Sequence, residues 1–417
     1  MLKSGQMTER TRREPYWARI LASLRFKNFR RLWLGSVAEH FGEFMELATI
    51  LWLVNEMTGS PLMLSIVGSS RFILMIFFPI VGGVVADRVN RRSLLITALL
   101  SSALLSLFLA ILAITRLMNI WHIIVISLLQ GGATSFNHPA RQTILPNLVK
   151  REHLLNAVAL DSISVQAARL FSMASAGYLI AVMGVWPIFI LKALGCLLAI
   201  SWLRLVEVPP TPLTTIAHAP LQNLTEGFRY LRAHTIILSL VLLYLIPRIA
   251  MNTYSNFLPI FANDVLRIGV VGYGYLQSAP GLGAILSLLG LTLLTYYKRK
   301  IILLVGSGVM MGIGLIVFSG SPWALLSLFL LVVIGAMQTV FNTVNSTMIQ
   351  GFVADEMRGR VMSWREVASG LGLTGNILFG AIAQITGVPI SLGLLGVICV
   401  VVSLLLITSL PRFKSIE

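Results

Sequence analysis

From about position 30 to position 410, apolar residues run in blocks separated by short polar interruptions. A helix rises ~1.5 Å per residue, so a block of about twenty residues spans the roughly 30 Å hydrocarbon core of a bilayer. The pattern predicts twelve such helices, near 30–54, 62–85, 93–115, 121–140, 154–183, 187–205, 235–261, 270–296, 301–319, 323–349, 364–386 and 389–410. The longest interior connection, 206–234, divides them six and six. It opens on Val208-Pro209-Pro210-Thr211-Pro212, a helix stop. Leu221, Leu224, Phe228 and Leu231 then recur at helical spacing beside Glu226, Arg229 and Arg232, which predicts an amphipathic helix on the membrane face or between the halves. Trp17, Ile20, Leu21 and Leu24 repeat that pattern near the N-terminus. The expected organisation is a six-helix bundle over 1–205 with a basic leading segment, a linker over 206–234 and a second six-helix bundle over 235–417. Two repeats of this kind hold a site near the midplane in secondary transporters.

Composition agrees, since 56% of the residues are hydrophobic and only 12% charged. A soluble domain carries roughly a quarter charged residues. The net charge of +16 does not require nucleic acid, because the cations follow the topology. With the N-terminus cytoplasmic, 26 Lys and Arg fall in cytoplasmic segments, and only Arg116 and Arg267 in outside loops. That asymmetry orients the chain. No leading apolar stretch suggests a cleaved signal. Cys196 and Cys399 both lie in apolar runs, which argues against a disulfide framework or thiolate metal site. No histidine pair has metal-ligand spacing, and His138 before Pro139 reads as a loop residue. Gly370-Leu371-Gly372-Leu373-Thr374-Gly375 fits a dinucleotide fingerprint but lacks the preceding strand, so helix packing is expected there.

The loop between spans 2 and 3 reads Gly83-Val84-Val85-Ala86-Asp87-Arg88-Val89-Asn90-Arg91-Arg92. This resembles the loop 2–3 signature of the major facilitator superfamily, with Asn90 where a glycine is usual. Pro139-Ala140-Arg141, Leu145-Pro146-Asn147-Leu148-Val149, Leu155-Asn156-Ala157 and Asp355-Glu356-Met357-Arg358-Gly359-Arg360-Val361 are similar to the enterobactin-exporter and macrolide-efflux branch. The resemblance covers nearly the whole chain. It implies an all-α, twelve-helix major facilitator fold and a conformational latch built on Gly83, Asp87, Arg88, Arg91 and Arg92. In that latch Asp87 faces the start of span 11, near Met362–Arg365. Span 5 departs from what exporters show, since Ala168–Gly177 is rich in small residues but lacks a glycine–proline signature. Lys298-Arg299-Lys300 retains the charge of the corresponding second-half loop without an acidic partner.

Chemistry concentrates in span 1. Glu39, Glu43 and Glu46 share one helical face within about 60° at 100° per residue. Each ionised carboxylate in hydrocarbon costs at least ~2.5 kcal/mol, so the three must face protein or water. Close like charges in a dry medium favour proton exchange, which makes the three proton-coupling candidates. A static network with the basic residues Arg71, Arg169, Lys192 and Arg248 is the alternative. Depth matches Arg71 to Glu46 and Arg248 to Glu43, and leaves Glu43 the poorest in water. Arg248, beside the helix-breaking Pro247, is either a contact for a substrate anion or a partner for span 1. Asp161 and Lys192 are expected near the interfaces, where snorkelling is cheap. No nucleophile–base pair, P-loop or cofactor motif stands out, so an enzyme is not expected. The expected protein is a monomeric, proton-coupled exporter of amphipathic or lipophilic small molecules in the inner membrane, with both termini cytoplasmic and lipids, protons and substrate as partners. An importer or lysolipid flippase of the same fold, or a membrane sensor, is the alternative.

Single cysteines replacing Met118 and Ile268 should label from outside intact cells, while those replacing Asn90 and His218 should not. The opposite labelling contradicts the orientation.

Overall fold

The computed structural model describes residues 22–86, 91–207, 220–293 and 299–409. Thirteen α-helices and no strand occupy them. The first six are α1 (Lys27–Thr58), α2 (Pro61–Ala86), α3 (Arg91–Ile114), α4 (Ile120–Ile144), α5 (Leu154–Met183) and α6 (Trp186–Arg204). The amphipathic segment forms α7 (Pro220–Ala233). Then follow α8 (Thr235–Ile260), α9 (Gly269–Leu293), α10 (Lys300–Ser319), α11 (Ala324–Phe352), α12 (Asp355–Thr386) and α13 (Val388–Ser409). Among the described residues, eight helices are long and apolar enough to cross a membrane. α1 is long enough but carries the glutamates, so its burial depends on protein neighbours rather than lipid.

The same neighbour pattern recurs along the chain. α1 packs on α5 and α6, α2 on α4, and α3 on α4 and α6. Correspondingly α8 packs on α12 and α13, α9 on α11, and α10 on α11 and α13. α2 against α12 and α5 against α9 join the two sets. At the end holding the α1–α2 and α8–α9 junctions, one apolar core draws on both sets, including Met45, Val67, Met173, Tyr254, Leu276 and Phe379. At the opposite end the core divides, one part around Phe29, Leu99 and Ala199, the other around Leu240, Phe341 and Val361. The halves are thus sealed together at one end and packed separately at the other. Tyr273 donates to the carbonyl of Ala48 at 2.9 Å, and Asn376 donates to Ser69 at 2.7 Å, across the sealed end. Gly177 and Gly274 bring α5 and α9 together there, since a Cβ on either would lie about 3 Å from the other's Cα. Close packing on α5 therefore rests on this pair, without the glycine–proline signature that many exporters carry.

Several sequence expectations shift. Pro139 and His138 lie inside α4, which continues to Ile144, so Arg141 is a buried helical residue and not a loop cation. A proline within a membrane helix is tolerated because neighbours re-satisfy the freed carbonyl. Arg365 is likewise buried in α12, its guanidinium 3.8 Å above the Tyr244 ring. Gly370–Gly375 falls within α12, and Gly375 packs on Ile249. α7 docks on the start of α12 through Leu231, the Phe228–Trp364 ring pair and Glu226–Arg360 at 2.5 Å. Asp87, Arg88, Trp17, Ile20 and Leu21 lie outside the described residues. Gly83 falls near the end of α2, and Arg91 and Arg92 open α3, where Arg92 donates to the carbonyl of Arg204. Ser23 holds the short helical turn Ala22–Arg25 to α5 through Asn156, at 2.7 and 3.0 Å.

Gly131 shows how tightly α4 crosses α2, because a Cβ there would sit 1.7 Å from the carbonyl oxygen of Arg71. Gly131→Ala is expected to cost ~1–3 kcal/mol as overpacking. The melting temperature of the detergent-purified protein should fall by several degrees. An unchanged value contradicts the crossing.

Candidate functional site

Two glycines set the site by letting helices touch. A Cβ on Gly42 of α1 would lie 2.7 Å from the Cα of Lys192 on α6, and a Cβ on Gly195 would lie 2.6 Å from the carbonyl of Ala38. At this crossing Lys192, only 1% exposed, comes into electrostatic contact with Glu39, Glu43 and Glu46. The expectation that Lys192 snorkels to an interface is therefore wrong. Its stem is confined by the close backbone approach at Gly42.

Glu43 is the node. Its Oε1 accepts from Arg71 Nη2 of α2 at 2.6 Å, and its Oε2 lies 3.4 Å from His40 Nδ1. His40 Nε2 lies 2.6 Å from Arg141 Nη1. A guanidinium only donates, so Nε2 accepts and the proton of the neutral ring sits on Nδ1, directed at Glu43. Arg141 in turn pairs with Asp161 of α5. Glu39 accepts from Asn137 Nδ2 at 2.8 Å and lies 3.9 Å from His40 Nδ1. Glu46, with no exposed surface, accepts from Ser106 of α3. Ser106 also accepts from Gln130 Nε2 at 3.1 Å, and Ser102 donates to Gln130 Oε1 at 2.7 Å. The second oxygen of Glu46 has no protein partner among the described residues. Two sets of polar contacts thus tie α1 to its neighbours, one joining it to α2, α4 and α5 and the other to α3 and α4.

Three expectations are corrected here. Arg71 pairs with Glu43, not Glu46. The two positions differ by three residues, roughly 4.5 Å of rise, which an arginine stem spans, and Glu46 turns toward α3. Glu43 is not the driest acid, because its side chain keeps 18% exposure while Glu46 has none. Asp161 is not a cheap interfacial charge but the partner of a buried arginine. Arg248 meets no acid of α1 among the described residues. Its Nε donates to Ser369 of α12 at 2.8 Å, and the guanidinium faces the Phe72 ring of α2 at 6.0 Å. Arg169 of α5 is partly exposed, and its Nε has no hydrogen-bond partner among the described residues. Of the latch, only Arg92 has a described side-chain contact.

The structure also gathers Glu39, His40 and Glu43 so that one possible ligand atom of each lies within 4.8 Å of the others. The i, i+1, i+4 spacing on α1 carried this signal, which a search for histidine pairs passes over. Arg71 and Arg141 already engage Glu43 and His40, and two guanidinium charges oppose a divalent cation there. The cluster is a hydrogen-bonded charge network.

The transmembrane secretion effector family profile matches residues 18–417. Macrolide efflux protein A of Streptococcus pyogenes is 23% identical over 354 residues, 84% of this chain and 85% of its own length. Enterobactin exporter EntS of Shigella boydii is 28% identical over 371 residues, 87% of this chain and 85% of its own. The staphyloferrin A transporter of Staphylococcus aureus is 23% identical over 84% of this chain and 88% of its own. A solved nucleoside transporter, NupG, shares the fold at TM-score 0.69 and 16% identity, covering 91% of this chain and 98% of its own. A solved POT family transporter aligns at TM-score 0.73 and 14% identity, covering 92% and 96%. These relatives are transporters and not enzymes, in keeping with the apolar helices and the absence of a nucleophile–base arrangement in the network. The chain belongs to the transmembrane secretion effector family of the major facilitator superfamily, multi-pass transporters of the bacterial inner membrane.

Proposed function

We propose that the chain is a proton-coupled exporter of amphipathic or lipophilic small molecules, such as drugs, macrolides or siderophores, working by alternating access. The single observation that carries this reading is the node at Glu43, a partly exposed carboxylate whose negative charge strengthens its bonds to both Arg71 and His40. A proton on Glu43 cancels the charge that holds Arg71, so α2 loses its polar tie to α1. α2 also packs on α12 of the other half, which makes that tie a natural place for protonation to bear on how the halves meet. Glu39 and Glu46 flank the node, each with its own polar partner on a different helix. Residues 1–205 and 235–417 move against one another as two bundles in this account, with 206–234 as the linker. The split core describes one state, sealed at the α1–α2 junction end. Gly83, Asp87, Arg88, Arg91 and Arg92 act as the latch that exchanges this state for its opposite. Export, as against import, is supported by the efflux and exporter relatives. The working unit is a monomer in lipid, with both termini cytoplasmic.

Glu43→Gln keeps size and hydrogen bonding but removes titration. In proteoliposomes, a screen of macrolides, siderophores and amphipathic carboxylates first identifies a transported compound. The variant should exchange that compound across the membrane at near-parental rate, yet accumulate it against a gradient at least ~10-fold less, the loss of ~1.4 kcal/mol of coupling. Uphill transport with the parental pH dependence would place coupling elsewhere.

A further inference from the structure

We propose that a small cavity inside the first helix bundle holds water that passes protons to and from Glu39. It gives the Glu43 network its own route to the end at which the two halves pack separately. The proposal rests on the proton-coupled reading above and deepens it by assigning the path.

The cavity lies among α1, α3, α4 and α6. Its polar lining is Ser36 and Glu39 of α1 with Asn137 and Arg141 of α4. A water molecule's centre has about 20 Å³ to occupy there, above the ~10–15 Å³ that holds one water. Apolar cavities stay dry, whereas a cavity with several polar partners takes water. Those partners are present. Arg141 is 8% exposed, and its Nη1 and Nη2 are spent on His40 and Asp161. Its buried Nε has no hydrogen-bond partner among the described residues, a costly state for an N–H donor. Ser36 donates to the carbonyl of Leu32 at 2.8 Å, which leaves its oxygen able to accept. Glu39 Oε1 accepts from Asn137 at 2.8 Å, and a carboxylate has lone pairs for further donors. Water in the cavity can accept from Arg141 and donate to Glu39 or Ser36.

The cavity is close to the aqueous side. Leu95 in its lining stands about one turn from the start of α3, and Leu203 one residue from the end of α6. From Glu39 inward the path is also short. The same His40 Nδ1 lies 3.9 Å from Glu39 Oε2 and 3.4 Å from Glu43 Oε2. A protonated water gives its proton to Glu39 and remains as water. Nδ1 then yields its own proton to Glu43 and takes the replacement from Glu39, so the ring ends as it began. Every lining residue belongs to the first bundle, so this route stays apart from the seam between the halves.

The test exposes the full chain, purified in detergent, to millisecond X-ray pulses that make hydroxyl radicals from bound water. Leu99 lines the cavity and is 3% exposed, yet it should be oxidised several-fold faster than the buried Leu51 and Leu276 of the shared apolar core. Ala199 also lines the cavity, and Ala199→Val should fill it and protect Leu99. In proteoliposomes with a trapped pH-sensitive dye, that variant should slow substrate-driven proton movement at least ~10-fold, the scale of losing a positioned proton-transfer group. Exchange of the transported compound without a gradient should stay near parental. Leu203→Phe, one turn further along α6, should act alike. Protection of Leu99 in the parental protein overturns the proposal. So does parental proton movement in a variant whose Leu99 is protected, because the water is then only structural. Variants that lose exchange and proton movement together mark a packing role for these positions and also count against the route. Parental transport without any proton movement removes the coupling reading above, whereas proton movement alongside a protected parental Leu99 removes the route alone.

Discussion

The charge pairs of α1, α2, α4 and α5 depend on one requirement, that Glu43 not be left bare inside a span. Arg71 and His40 meet that requirement from two sides, and each is fixed in turn. Arg71 is placed by the crossing of α2 over Gly131, and His40 by the guanidinium of Arg141. Asp161 then fixes Arg141. Breaking such a buried pair from one side is far costlier than never forming it. The pair is therefore held from both sides while ionised.

Backbone proximity supplies the other half of the arrangement. Lys192 is buried beside α1 because Gly42 and Gly195 remove the side chains that would hold α1 and α6 apart. In a bilayer, lipid tails are as apolar as leucine, so helix association depends on close packing and polar ties rather than on escape from water. The sealed end of the molecule uses both, with Gly177 on Gly274 and the hydrogen bonds of Tyr273 and Asn376. Among the described residues the other end holds two separate cores instead of a shared one.

Much of this was legible in the sequence, for definite reasons. Block length and charge spacing predict the helices because membrane-spanning segments must satisfy their backbone internally. The shared face of Glu39, Glu43 and Glu46 follows from the 100° rotation per residue. Partners were less legible. Counting depth along α2 pointed Arg71 at Glu46, since the count ignores the length of an arginine stem and the direction in which Glu46 turns. Pro139 suggested a loop and concealed Arg141, although a proline inside a membrane helix is tolerated. Snorkelling is judged along one helix, whereas the burial of Lys192 and the pairing of Asp161 with buried Arg141 are created by neighbours far away in sequence.

The central claim is that substrate movement carries protons through the Glu43 network. Proteoliposomes containing the full chain and a trapped pH-sensitive dye test it directly, with an outward gradient of a transported compound and no initial pH difference. The account predicts a change in lumenal pH that starts with transport and disappears in Glu43→Gln, while the compound still crosses. Transport that leaves the lumenal pH unchanged in the parental protein, with the membrane potential clamped, contradicts it.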